Sequence, residues 1–381
     1  MLTVLRFLTA GESHGPSLTG ILDGMPAGLR LSEDDIDVDL RRRQGGHGRS
    51  GRQVIEKDHI QLTGGVAGGA TTGGPIALVI ENRDWKNWQN RSVTAMTVPR
   101  PGHADLAGAI KYNHRDFRLV LERASARETA MRVASGAIAK RLLAEFGVVV
   151  ASQVISIGEI DAEPGDLSNR EVRDRVEAST VRAAGEDAGR AFIDRIDQAR
   201  KARDTVGGIC SIEAFGVPAG LGSHVQWDRK LDGRLAQAVM SIQAIKGVEI
   251  GAGFEGSRLP GSKLHDAILP SDPPTPDPAG WRRQGNNAGG LEGGVTNGQP
   301  VVVRMAMKPI STLLSGMPSV DMASGEATRA EYQRSDICAV PAAGVVGEAM
   351  VSLVLADAFL EKFGGDSLME TRRNYESSCR I

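Results

Sequence analysis

The run GVVGEAMVSLVLADAFLEKF, residues 344–363, is apolar on nearly every face of a helix. A surface helix carries one apolar stripe and a polar remainder. This run has no polar side to give to water. It predicts a helix from about Gly344 to Phe363 buried in the protein centre, with other elements packed around it. Glu348 and Asp357 interrupt the apolar stretch 343–360, which argues against a membrane span.

Outward from that helix, α and β signals mix. Leu2–Thr9 reads as a strand ending in the turn Gly11-Glu12-Ser13-His14-Gly15, and a second apolar stretch, Leu18–Leu22, follows. Ser32-Glu-Asp-Asp35 has capping-box spacing and predicts a helix from Glu33 to about Arg42. Glycine-rich loops at 44–52 and 64–75 flank a strand near Val54–Leu62. Ser125-Ala-Arg-Glu128 has the same box spacing and opens a helix over Arg127–Phe146, with Gly147 placed to stop it. Val148–Ile157 reads as a buried strand. Residues 171–204, with Ile193 and Ile196 at helical spacing, predict one solvated helix before Gly207-Gly208. Leu231–Ile242 reads as a helix and Val248–Phe254 as a glycine-rich strand. The proline-rich stretch 270–280, PSDPPTPDPAG, predicts a mobile surface loop. With no short repeat and no linker, residues 1–381 read as a single α+β domain.

Composition narrows the function. The chain has 381 residues, 41% of them hydrophobic, which is enough for a substantial core. Net charge is −2, so no global field draws nucleic acid or anionic lipid. Yet residues 41–52, RRRQGGHGRSGR, hold five arginines and no acid, and residues 100–132 hold six more. Arginine clusters in a neutral protein point to small anionic ligands. The three cysteines, Cys210, Cys338 and Cys379, lack metal-ligand spacing and read as reduced thiols of a cytoplasmic protein.

Four constellations carry chemistry. In Gly11-Glu-Ser-His14-Gly15, flanking glycines present a histidine, the side chain that exchanges a proton near neutral pH. The bland reading is a surface turn. In Arg43-Gln-Gly-Gly-His-Gly-Arg49-Ser-Gly-Arg52, guanidinium forks suit phosphate or carboxylate. Alternatives are a plain basic loop or an RNA-binding segment, although interleaved aromatics are missing. Arg100-Pro-Gly-His103-Ala-Asp105 precedes Arg123-Ala-Ser125-Ala-Arg127-Glu128, which stands at a helix N-terminus suited to an anion. His103 and Asp105 have the spacing of an orientation pair. Last come Gly289-Gly-Leu-Glu-Gly-Gly294-Val-Thr-Asn-Gly298, Lys308-Pro-Ile-Ser-Thr312 and Arg334-Ser-Asp336. No P-loop and no strand–GxGxxG–helix unit occurs.

Together, and in this order, GESHG, the arginine-glycine loop, RPGHAD, RASARET, GGLEGGVTNG, KPIST and RSDICAVP resemble the chorismate synthase family over about residues 7–348. His47 stands where tyrosine is common in that family, Ser50 where glycine is common, and the 270–280 excursion is longer than usual.

The resemblance implies a β-α-β sandwich with a helical layer enclosed between two antiparallel sheets, assembled as a homotetramer. It implies a lyase of the shikimate pathway that eliminates phosphate from 5-enolpyruvylshikimate 3-phosphate with reduced FMN. His14 then matches the proton donor near the departing phosphate, and His103 the histidine that serves the reduced flavin. Asp336 matches the carboxylate implicated in removing the C6 proton, relayed through flavin N5. Arg43, Arg49, Arg100, Arg127 and Arg334 match substrate positions. Arg123, Ala124, Ser125, Gln243, Ala244, Gly293, Lys308, Pro309, Ile310, Ser311, Thr312 and Arg334 match FMN positions. Arg43 and Arg49 also match positions associated with NADPH, so a form that reduces its own FMN is the alternative. The expected source of reduced flavin is external, with NADPH acting only indirectly. No metal, nucleic acid or membrane is expected. Residues 43–52, 270–280 and about 312–330 are expected to be mobile until ligands arrive.

Overall fold

The computed structural model describes residues 2–51, 55–90, 94–273, 281–333 and 335–378. Two antiparallel sheets flank a layer of helices. The first sheet contains β1 (Arg6–Ala10), β2 (Ser17–Asp23), β3 (Ile60–Gly64) and β4 (Ile76–Glu81), in the order β1-β2-β4-β3. The second contains β5 (Val149–Ile157), β6 (Ile160–Asp161), β7 (Gly208–Phe215), β8 (Ile245–Ile250) and β9 (Val301–Met307), in the order β8-β9-β7-β5-β6. The longer helices are α1 (Glu33–Gln44), α2 (Asp105–Tyr112), α3 (Arg118–Ala124), α4 (Thr129–Ala144), α5 (Arg170–Ala178), α6 (Glu186–Lys201), α7 (Leu231–Met240), α8 (Val340–Phe363) and α9 (Leu368–Ser378).

Alternation explains the sheets. In β4, Ile76, Leu78 and Ile80 are buried on one face, and in β2 Leu18 and Leu22 are. Those faces meet α4, while β5, β7 and β9 meet α8. The apolar run of 344–363 is thus the enclosed helix, and it starts earlier, at Val340, with Pro341 in its first turn. Of its 24 residues only Glu361 and Lys362 reach solvent. Each fully buried Val, Leu or Phe contributes about 1.5–3 kcal/mol. Gly136 lets α4 and α8 touch: an added Cβ there would stand 2.3 Å from the Ala349 Cβ.

Two carboxylates lie inside α8, both 0% exposed. Glu348 meets Arg42 and Lys140 at 2.8 and 2.9 Å, Arg182 at 3.1 Å and the Ser152 hydroxyl at 2.7 Å. Burial alone would push its carboxyl up, but Arg42, Lys140 and Arg182 hold it well below the usual range. Asp357 accepts the backbone N–H groups of Thr3, Val4 and Leu5 and pairs with Arg234. Buried charge is tolerated here because it is fully partnered.

Several expected boundaries moved. The single helix over 171–204 is two, α5 and α6. The break lets Val181 and Ala183 enter the core and Arg182 reach Glu348. The Ser32 box is present, but the box at Ser125 is not. Ser125 caps the Arg127 N–H of a 3-10 turn, Ala126–Glu128, and the Glu128 carboxylate turns to Thr9, Arg132 and Gln243. The strand near Val54–Leu62 begins only at Ile60, with Val54 outside the described residues. The strand expected over Val248–Phe254 ends at Ile250, before the helical turn Gly253–Gly256. The 270–280 excursion leaves and returns through Ile268–Leu269 paired with Arg282–Arg283, and 274–280 lie outside the described residues. Within 312–330, Pro318–Val320 and Ala327–Arg329 form a two-stranded pair.

Candidate active site

A cavity of about 810 Å³ opens where the GESHG turn, the arginine loop, the start of α4, the 308–312 segment and the start of α8 converge. It is within the usual size range of a ligand site. His14, His103 and Asp336, read as catalytic candidates from sequence, all line it.

His14 sits on its turn with Nδ1 2.8 Å from Glu122 Oε1 on α3, and its ring centroid lies 4.2 Å from that of Trp88. Ser13 beside it shares a 3.1 Å hydroxyl contact with Ser125. His103 Nδ1 lies 2.5 Å from Asp105 Oδ1, realising the orientation pair. Arg100 closes on the same aspartate, with Nε 2.8 Å from Oδ2, and reaches Thr312 Oγ1 at 3.3 Å. Burial would raise the Asp105 carboxyl, but His103 and Arg100 hold it well below the usual range.

Residues 45–51 follow α1 and press against the segment before α8. The Gly48 carbonyl accepts the Ile337 N–H at 2.8 Å, and a Cβ on Gly48, whose φ is +86°, would stand 2.9 Å from Ile196. His47 ties the loop to α6 through Asp197 at 2.8 Å. These contacts deliver Arg49 to Asp336, Nη1 to Oδ2 at 2.8 Å, while the Ser50 N–H donates to Oδ1 at 2.7 Å. Arg334 stands two residues before Asp336 in the sequence. Arg334 lies outside the described residues, and the observed cation is Arg49.

Arg43 and Arg127 share Asp58, at 3.5 and 2.6 Å. Arg43 also donates to the Thr129 hydroxyl and the Ala126 carbonyl. Burial, against the pull of Asp58 and helped by Arg127 and Arg49, lowers the Arg43 guanidinium to about 10. Arg127 donates from Nε to Asn82 at 2.9 Å. Two donors on the cavity residues, Arg49 Nε and Arg127 Nη2, are buried with no hydrogen-bond partner among the described residues. On a cavity wall, guanidinium donors of this kind suit an anion.

Of the positions matched to flavin, Ala124, Ser125, Gln243, Ala244, Lys308, Ile310, Ser311 and Thr312 line the cavity. Pro309 sits between them with its carbonyl 3.5 Å from Lys308 Nζ. Burial, with Lys246 nearby, lowers the Lys308 ammonium. Gln243 Oε1 is a buried acceptor without a partner among the described residues. Two positions stand elsewhere. Arg123 is turned outward onto Thr9 and lines a second cavity of about 380 Å³ with Glu128 and Arg132, which adjoins the first at Gln243. Gly293 is at the turn of the hairpin Leu291–Glu292/Val295–Thr296, held against α7 by the Leu231 N–H to the Gly294 carbonyl. Sequence reading missed Glu122, Asp58 and Trp88 as site residues. Of these only Glu122, directly before RASARET, carried any local signal. Among the described residues no group of three or more His, Cys, Asp or Glu could hold a metal ion.

The sequence profile of the family described as Chorismate synthase matches residues 5–360. The protein named Chorismate synthase from Geobacter metallireducens (strain ATCC 53774 / DSM 7210 / GS-15) is 55% identical over 387 residues, covering 98% of each chain. The one so named from Aquifex aeolicus (strain VF5) is 52% identical, covering 98% of this chain and 97% of its own. A solved structure titled "Crystal Structure of Chorismate Synthase" superposes with a TM-score of 0.81 at 46% identity, covering 100% of this chain and 98% of the other.

Proposed function

Because the chain belongs to the chorismate synthase family of lyases, we propose that it eliminates phosphate from 5-enolpyruvylshikimate 3-phosphate in a 1,4-anti sense, giving chorismate. It acts with reduced FMN, as a single domain. The observation that carries this reading is one cavity that joins two histidines and an aspartate to buried arginines with unmatched donors.

The walls suit both ligands. The substrate brings two carboxylates and a phosphate, and Arg43, Arg49, Arg100 and Arg127, with Arg334, are the cations to bind them. For FMN, Ile242, Met307, Ile310 and Val346 offer an apolar wall, Gln243 Oε1 an acceptor for ring N–H, and Lys308, Ser125, Ser311 and Thr312 donors for phosphate. When bound, reduced flavin supplies electron density that is recovered by the end of the cycle, so no net redox change results. His14 donates a proton from Nε2 to the leaving phosphate. Arg49 and the Ser50 N–H aim the Asp336 carboxylate, which takes up the ring proton. Asp105 holds the His103 imidazole against rotation. Closure around bound ligands excludes water and strengthens each arginine contact.

Reduced flavin is supplied from outside: Arg43 and Arg49, the positions associated with NADPH, line the same cavity that substrate and flavin would fill. Turnover in air with NADPH, FMN and no added reductase would instead establish the bifunctional form. Assembly as a homotetramer draws on exposed apolar side chains such as Leu8, Trp227, Phe254 and Trp281. Cytoplasmic location fits the free buried thiols of Cys210 and Cys338. It also fits α8, which is long and apolar enough to cross a membrane but is buried in the core. The deciding experiment is anaerobic: purified protein with chemically reduced FMN and substrate should release chorismate and phosphate, and oxidised FMN should not support release. No chorismate under reducing conditions overturns the reading.

A further inference from the structure

His14 is held from behind by a residue that no motif singled out. The Glu122 carboxylate takes two donors of the same residue: Oε2 accepts the His14 backbone N–H at 2.7 Å, and Oε1 stands 2.8 Å from His14 Nδ1. The Glu122 carbonyl also accepts the Ser13 N–H at 3.2 Å. Both side chains are largely buried, 19% exposed for His14 and 12% for Glu122, and Trp88 packs over the imidazole. We propose that Glu122 is the positioning residue of the proton donor, holding His14 with a hydrogen on Nδ1 so that proton exchange occurs at Nε2.

The reason lies in the acceptor chemistry. An ionised carboxylate can only accept. Nδ1 must therefore be the donor, and the hydrogen bond at one ring nitrogen decides the role of the other. The imidazole can then gain and lose a proton at Nε2 while Nδ1–H stays committed. In the opposite tautomer, the neutral ring keeps its hydrogen on Nε2 and has lost the cycle. Glu122 also lies on α3, which runs directly into Ala124 and Ser125 on the cavity wall. One short helix thus sets the donor and the segment proposed for flavin at a common distance.

This inference rests on His14 being the acid, so the test separates the two. Glu122→Gln keeps the length but has one acceptor oxygen for two N–H donors. Anaerobic turnover with reduced FMN is expected to fall about 10- to 100-fold in kcat, a share of what a positioned acid contributes, with KM and FMN affinity nearly unchanged. Histidine-selective ¹⁵N spectra, with His14→Gln identifying the resonance, should show the neutral His14 ring moving from Nδ1–H towards Nε2–H. Adding Glu122→Gln to His14→Ala should cost almost nothing more, since the carboxylate acts through the ring. Glu122→Asp retains two acceptor oxygens and should keep the Nδ1–H form. An unchanged kcat or an unchanged tautomer in Glu122→Gln overturns the positioning role, and so does a full second loss in the His14→Ala background. Full turnover by His14→Ala alone overturns the assignment of the acid, and the role built on it.

Discussion

Arg42 and Arg43 are neighbours in one helix, yet they belong to different kinds of network. Arg42 turns into the helical layer, where Glu348, Glu177 and Asp39 take up its Nε, Nη1 and Nη2 donors. Arg43 turns towards the cavity beside Arg127 and Arg49, where donors outnumber acceptors and two N–H groups have none. The guanidiniums respond oppositely. Burial would lower Arg42, but Glu348, Glu177 and Asp39 hold it above its usual value. Burial, reinforced by Arg127 and Arg49, lowers Arg43 to about 10. The first network is closed around Arg42, each of whose guanidinium nitrogens meets a carboxylate, and it serves architecture. The second is open on its cavity side, where Arg49 Nε and Arg127 Nη2 have no hydrogen-bond acceptor among the described residues and Glu56 stands 3.7 Å from Arg127 Nη2. Arg118, Arg182, Arg234 and Arg304 also carry an unmatched Nε among the described residues, but none of the four lines the cavity.

Breaking the open network should show in turnover. His14→Ala is expected to lose roughly 10²–10⁴-fold in rate while substrate and flavin still bind, the range for losing a general acid. Stopped-flow chorismate formation without oxygen measures it, and near-wild-type rates would remove His14 from the mechanism. Asp336→Asn should likewise keep FMN binding and lose turnover; an unfolded variant would make the residue architectural.

Breaking the closed network should show in stability. Glu348→Gln strands Arg42, Lys140 and Arg182 around a neutral group, and removing one partner of a buried ion cluster costs about 3–5 kcal/mol. Denaturant unfolding should record the loss, while kcat per folded molecule stays unchanged. The sign with pH follows from the depressed carboxyl. Its stabilisation is fully present above the unfolded value near 4.5 and is lost as pH falls through the lower folded value. The gap between wild type and Glu348→Gln should therefore narrow in acid. A gap that widens there would contradict the closed-network account.

A weaker effect concerns ligand coupling. Arginines that repel one another gain a shared partner when substrate and FMN both arrive, so each ligand should tighten the other by about 5- to 150-fold, the usual range for coupled sites. Calorimetric titration of FMN with and without substrate measures this, and equal affinities would rule the coupling out.

The smallest effect lies outside both networks. His59 is raised chiefly by its hydrogen bond to Asp37, 2.5 Å away. A raised histidine stabilises below its unfolded value and loses that contribution as pH rises through the folded one. His59→Gln should thus be slightly less stable than wild type at pH about 6 and indistinguishable by pH about 9. A difference that persists at the higher pH would assign it to packing.

Legibility differed by element. The Ser32 box and the strands at Arg6–Ala10 and Val149–Ile157 follow local rules, and they appear close to where those rules place them. The Ser125 box failed because Glu128 found Arg132 and Gln243 in three dimensions. The break between α5 and α6 falls on STVRAAG, 179–185, whose Ser179, Thr180 and Gly185 are weak stop signals, while the pull on Arg182 comes from Glu348, 166 positions away. His14, His103 and Asp336 were legible as types in glycine-framed motifs. Their supports were not: Asp58 carries no motif at all.

What the sequence determined by itself is burial and chemistry. A 24-residue helix with no polar face must be enclosed, and the ordered motifs identify the family and the groups able to carry protons and bind anions. What only the tertiary structure decided is pairing. Asp336 meets Ser50 across 286 positions, and Glu122 meets His14 across 108. Periodicity and capping rules act over a few residues, so they place a side chain on a face but leave open which distant charge that face will meet. That choice is made when two sheets close over the helices, and it separates the arginine that holds the core from the arginine that faces the cavity.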